Sequence, residues 1–236
     1  MTIILTDETI SRIELAFKVY WLSPFCSGTI EIGETLLSWA LQATMLSSKA
    51  YADAYHSTNQ IAYQIKTGLI TSPVTFARLT TPSQFDLVNS INQNDIQHLG
   101  DELLEWVRNR IEEPKILLGA KEVRVARIIY TKQGDFTYYE RLMDINHYLS
   151  QDYEWHWSSK GNALEGYRNR VKWFSWYPQG RQGTKNQNQL HYHGENTFLP
   201  SVGSKNRHDF RLGTHAQIPF DKMFVALLNL IDQHST

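Results

Sequence analysis

Ile96, Leu99, Leu103, Val107 and Ile111 recur at spacings of three and four, and this stripe commits the middle of the chain to a helix with one buried face. Asp95 stands at its N-cap position, and Pro114 is expected to end it. On either side the period changes. Ile13, Leu15, Phe17, Val19 and Trp21 alternate with Glu14, Ala16, Lys18 and Tyr20, which predicts a half-buried strand. Leu36, Trp39, Ala40, Ala43 and Leu46 then return at helical spacing. Residues 49–68 are polar and follow neither period. GLITSPVTFARL is rich in β-branched residues, and Pro73 confines it to an edge or a broken strand. ILLGAKEVRVARIIY and FTYYERL read as strands about Gly119 and Gly134.

The order of elements predicts an α+β fold, an antiparallel sheet with helices on one face. From 153 to 218 tryptophan, glycine and amides dominate without a lasting period, which reads as a loop-rich or β-hairpin arm. DKMFVALLNLID closes the chain as a helix capped by Asp221. The expected organisation is a domain over 1–150, an arm over 151–218 and a terminal helix over 219–236.

Charge is distributed unevenly. Residues 1–115 carry eight Lys/Arg against thirteen Asp/Glu, and residues 116–236 carry fifteen against eleven, so an acidic half precedes a basic one. Such a gradient within a nearly neutral chain points to a local polyanion site. Cys26 is the only cysteine, which excludes an internal disulfide and a cysteine-based zinc site and suggests a reducing, cytoplasmic setting. The N-terminus lacks a signal-peptide pattern, and no run of eighteen apolar residues suggests a membrane span.

The basic half contains a stretch from Gly166 to Gly194 with no carboxylate. Arg168, Arg170, Lys172, Arg181 and Lys185 can neutralise phosphates, while Trp173 and Tyr177 can stack on unpaired bases. Lys205, Arg207 and Arg211 form a second basic patch flanked by glycines, with His208 among them. His191 and His193, with His208 or His215, match no zinc spacing, so no metal or other cofactor is expected. A nuclease needs carboxylates near a lysine to hold Mg²⁺ and orient water. Glu113, Lys115 and Asp101 have those letters, although a helix-ending proline is a poor metal platform. The residues favour a non-catalytic, RNA-binding role, with a Mg²⁺-dependent DNA endonuclease of restriction type as the alternative.

Three stretches carry a resemblance. IEIGETLLSWALQATML at 30–46, GLITSPVTFARLTTPSQFDL at 68–87 and EPKILLGAKEVRV at 113–125 resemble, in order and spacing, segments of a CRISPR-associated RAMP family. The family is the Cas-five-type subunit of type I-D surveillance complexes. The resemblance implies a ferredoxin-like, RRM-related domain with a basic arm that grips the 5′ handle of a guide RNA (crRNA) in a Cascade-type antiviral complex. It also implies a repeated backbone subunit and a large subunit as partners, target nucleic acid reached through the complex, and no membrane association. Lys121 and Arg124 enter as RNA contacts through it. Leu117 stands where the family has an arginine.

Overall fold

A computed structural model describes residues 3–22, 30–46, 52–69, 74–78, 96–131, 135–143, 152–177, 189–193 and 199–211. The elements run α1 (Asp7–Leu22), α2 (Ile30–Ala40), β1 (Thr44–Met45), β2 (Ala54–His56), β3 (Ile61–Leu69), β4 (Val74–Arg78), α3 (Ile96–Leu118), β5 (Glu122–Tyr130), β6 (Asp135–Leu142), β7 (Glu154–Trp157), β8 (Leu164–Arg168), β9 (Val171–Tyr177), β10 (Gln189–Tyr192) and β11 (Arg207–Arg211). The chain is mixed α+β, in two compact units. One is drawn from Met1–Ile70, Pro114–Met143 and Pro200–Thr236, and the other from Thr71–Glu113 and Asp144–Leu199.

The first unit holds a mixed sheet in the order β1-β2-β3-β5-β6-β11. β3 and β5 run parallel, and the other neighbours pair antiparallel. Ile13, Ala16 and Phe17 of α1 and Leu37 and Ala40 of α2 bury against Ile61, Tyr63, Ile65, Ala126, Ile128, Phe136 and Tyr138. The expected strand at residues 13–21 is therefore a helix. Its alternation breaks where Leu15 is exposed and Ala16 is buried, while Ile13, Ala16 and Phe17 fit one helical face. Thr6 begins the helix by accepting the Thr9 N–H at 3.2 Å, and Asp7 and Glu8 complement the helix dipole in the first turn. Arg12 is salt-bridged to Glu8 one turn earlier and donates through Nε to the Ala40 carbonyl at 3.1 Å, which ties α1 to the end of α2.

In the second unit the order is β4-β10-β9-β8-β7, all antiparallel. The segment expected to be a loop-rich or β-hairpin arm thus supplies four strands to this sheet, with buried residues of their own, and β11 to the other. Trp155, Leu164, Phe174, Trp176 and Leu190 are all buried. Turns every few residues and the bulge between Gly166 and Tyr167 obscure the strand period in the sequence. Of the stretch expected as an edge or broken strand, Gly68 and Leu69 belong to β3, and Val74–Arg78 form β4, the end strand of this order. The stripe of α3 is buried at Leu99, Leu103, Val107 and Ile111. Gly100 approaches Trp155 so closely that a Cβ there would stand 2.3 Å from the indole, and Gln97 donates to the Tyr153 carbonyl at 2.8 Å. A larger residue at position 100 would push the helix off the sheet.

Helix α3 does not end at Pro114 but runs on to Leu118, which overturns the strand expected at Ile116–Leu118. Proline removes one donor and tolerates helix when the turn before it adjusts. The chain leaves the helix at Gly119, whose φ of 65° is the left-handed conformation that glycine adopts without penalty. Among the described residues no helix is long and apolar enough to cross a membrane. The terminal helix expected after Asp221 lies outside the described residues.

Candidate functional site

Strand β3 faces two ways. Ile61, Tyr63 and Ile65 enter the core under α1 and α2, so the alternation of a strand sends Ala62, Gln64 and Lys66 to the opposite face. Gln64 is buried there, and a buried amide requires a partner. That partner is Asp53. The Ala54–Tyr63 register continues by one residue to set Asp53 beside Gln64. The backbone of Asp53 is held on both sides: its N–H donates to the Tyr63 carbonyl at 2.8 Å, and its carbonyl accepts the Leu46 N–H at 2.9 Å.

The Asp53 carboxylate gathers the end of this face. Oδ2 accepts from Gln64 Nε2 at 2.5 Å and from the Ile65 N–H at 2.7 Å, and it stands 3.6 Å from Lys66 Nζ. Lys66 Nζ also donates to the Ile65 carbonyl at 2.9 Å. Among the described residues Oδ1 takes no hydrogen bond. The Asp53 and Lys66 side chains are 24% and 22% exposed, so the pair is anchored but open to a ligand. Arg127, in register with Lys66 on β5, adds a buried positive charge on the same face.

A carboxylate, an amide, a backbone carbonyl and an ammonium thus converge at one place. Oxygen donors of these kinds suit Mg²⁺, which is commonly held through one or two carboxylates together with substrate phosphates. No group of three or more His, Cys, Asp or Glu that could hold a metal occurs among the described residues.

A second charged cluster lies on the other face of the sheet. Arg124 donates through Nε to Glu122 at 2.8 Å and through Nη1 to Glu140 at 3.0 Å, and the Tyr138 hydroxyl donates to Glu140 at 2.7 Å. Burial works to lower the Arg124 pKa, but its bonds to Glu122 and Glu140 outweigh this and raise it. Burial raises the pKa of Tyr138, with the Glu140 charge adding to the effect.

The residues expected to bind RNA divide between the units. Lys121, Arg124, Lys205, Arg207 and Arg211 belong to the first, and Arg168, Arg170, Lys172, Trp173 and Tyr177 to the second. Arg124 is engaged as described, Arg207 is paired with Asp209 at 2.9 Å, and Arg211 is paired with Asp135 at 3.2 Å. Lys121 and Lys205 are exposed. In the second unit Lys172 Nζ is bound to Glu165 at 3.0 Å, Trp173 packs 6.3 Å from the Tyr153 ring, and Arg168 and Arg170 flank the β8–β9 turn. Arg181 and Lys185 lie outside the described residues.

The histidines separate in the same way. His191 and His193 are 6.5 Å apart in the second unit, and His193 Nε2 meets Ser175 Oγ at 2.8 Å. Burial, followed by the charge of Lys172, lowers the His193 pKa to about 4. His208 is bonded to Glu14 at 2.7 Å in the first unit, and His215 lies outside the described residues.

The nuclease letters noted in the sequence do not come together. Asp101 accepts from Gln97 at 3.1 Å, and Glu113 is paired with Arg110 at 2.7 Å, about 18 Å further along the same helix. The carboxylate–lysine pair lies instead at Asp53 and Lys66, in the stretch that had neither helical nor strand period. Its signal was Gln64 and Lys66 alternating with Ile61, Tyr63 and Ile65, polar residues on one side of an otherwise apolar strand. Comparison with protein-family models, curated proteins and solved structures finds no match for the chain.

Proposed function

We propose that this chain is a magnesium-dependent nuclease that hydrolyses phosphodiester bonds in DNA. The observation that carries the reading is the Asp53 carboxylate, fixed by β3 and 3.6 Å from Lys66 Nζ, with the Ile65 carbonyl and the Gln64 amide beside it. Asp53, the Ile65 carbonyl and, after rotation of its amide, Gln64 Oε1 would hold the ion. Bound there, Mg²⁺ would neutralise phosphate charge and make a bound water more acidic. Lys66 faces the same position and offsets the charge that develops on phosphate oxygen in the transition state. Asp53 is held by the Ile65 N–H before substrate arrives, while Gln64 and Lys66 would exchange their bonds to Asp53 and the Ile65 carbonyl for the ion and the phosphate.

The test is cleavage of plasmid and phage DNA with Mg²⁺ or Mn²⁺. Asp53→Asn and Lys66→Met are each expected to lower the rate by about 10²–10³ or more, as loss of a transition-state contact does, with the folded state retained. Full activity in both variants, or no cleavage by the unaltered chain across diverse DNA and both metals, overturns the reading.

A second reading keeps the chain non-catalytic, as the RNA-binding subunit of a Cascade-type complex. The RAMP resemblance of residues 30–46, 68–87 and 113–125 and the carboxylate-free stretch from Gly166 to Gly194 support it. A ferredoxin-like domain would place a strand between its parallel pair. Here β3 and β5 are adjacent, a departure that such a reading must accommodate. Recovery of guide RNAs sharing one 5′ end with the purified chain would favour it over the nuclease.

A further inference from the structure

The turn between β8 and β9 carries an unusual residue. β8 and β9 are joined by Asn169 and Arg170, with Arg168 paired to Val171, so the hairpin has a two-residue loop. Both loop residues have positive φ, 49° and 63°, the combination that defines the turn best matched to strand twist. Asparagine suits the first position. The second is normally glycine, because a Cβ is disfavoured in the left-handed region. Arginine there is a poor choice for folding alone, and a strained residue at a loop tip invites a functional explanation.

The surroundings supply one. Arg170 is exposed, Arg168 stands on the other side of Asn169, and Val171 presents an apolar side chain that is 49% exposed beside them. Behind the tip, Lys172 is held to Glu165, which also accepts from the Tyr167 hydroxyl at 2.7 Å. The tip sets Arg168 and Arg170 in a stretch, Gly166 to Gly194, that holds no carboxylate. β8 and β9 are inner strands of the five-stranded sheet, so a contact with a ligand falls to the turn that joins them. On a duplex, arginines contact phosphates or guanine edges, and an exposed aliphatic group meets thymine methyls.

Building on the nuclease reading, we propose that the β8–β9 turn engages duplex DNA, with Arg168 and Arg170 as its cationic contacts and Val171 against the bases. Glycine at position 170 would relieve the turn and remove the contact at once. This separates binding from folding, since a purely structural arginine could not be replaced by glycine with a gain in stability and a loss of binding.

The experiment measures binding of the full chain to a labelled random-sequence duplex pool in EDTA, by fluorescence anisotropy over a range of salt. Arg170→Gly is expected to melt at or above the temperature of the unaltered chain, and Arg168→Gln/Arg170→Gly to bind at least tenfold more weakly. The slope of log affinity against log salt should fall by about one for each phosphate contact removed. Unchanged affinity and slope in the double variant overturn the assignment, even if the chain cleaves DNA. Tighter binding to single-stranded RNA than to duplex, lost in the same variant, overturns the duplex assignment. Duplex binding that depends on these arginines supports the assignment of the turn even where no cleavage is found, in which case the nuclease reading alone falls.

Discussion

The two faces of the mixed sheet both carry buried charge, yet they use it differently. On the face toward α1 and α2, Glu140 gives one oxygen to Arg124 and the other to Tyr138, and Arg124 turns its remaining donors to Glu122. On the opposite face Asp53 receives every bond on Oδ2 and leaves Oδ1 without one among the described residues, while Lys66 stands at 3.6 Å, beyond ordinary hydrogen-bond length. A closed network has no capacity for a ligand, and removing any member strands a charge in the interior. An anchored pair with a spare oxygen can accept a cation or a phosphate without losing what holds it. Arg124 and Glu140 are 14% and 4% exposed against 22% and 24% for Lys66 and Asp53, and the satisfied lone pairs set the two places further apart.

The largest effect should therefore fall on activity at one face and on stability at the other. Asp53→Asn keeps an oxygen for the Gln64 and Ile65 donors, so its melting temperature should stay near that of the unaltered chain while Mg²⁺-dependent cleavage is lost. A collapse in melting temperature would mean that Asp53 is structural and would erase the contrast. Arg124→Ala should do the reverse. It leaves Glu140, whose side chain is 4% exposed, without its cation, a change that typically costs about 3–5 kcal/mol. Chemical denaturation measures it, and cleavage per folded molecule should be unchanged at a temperature where the variant is folded.

How far this contrast was legible in the sequence differs along the chain. The stripe of α3 was readable because Leu99, Leu103, Val107 and Ile111 repeat over a long helix, and Pro73 marked the break in the stretch that divides between β3 and β4. Helix α1 was misread because Ile13, Leu15 and Phe17 satisfy a period of two until Ala16 is known to be buried, and the caps at Thr6 and Asp7 were the better signal. The second sheet was hidden by a bulge and by strands of four, five, seven and four residues, too short to display a period. The site was hidden for a different reason. Asp53 lies outside any strand, eleven residues before Gln64, and only the β2–β3 turn brings them together. Arg124 carried a positive charge that looked available, since a sequence does not show that Glu122 and Glu140 surround it.

The smallest effect concerns alkaline pH and sharpens the same contrast. Burial raises the pKa of both Tyr63 and Tyr138 above the usual 10, with Glu140 adding to the shift. The folded chain thus holds these phenolic protons more tightly than the unfolded chain does. Below pH 10 both states are neutral at these positions and the stabilisation is fully present. As pH rises beyond 10 the unfolded state loses protons first, so stability declines with pH. The urea midpoint should fall over that range, with Tyr153 and Tyr167, whose pKa values are also raised, contributing, and Tyr63→Phe should reduce the slope because one of the responding groups is gone. Asp53→Asn should leave the slope as it is, since the network on the opposite face does not include Asp53. A slope altered equally by both substitutions would show that the two faces titrate as one system, and the distinction between a closed network and an open pair would fail.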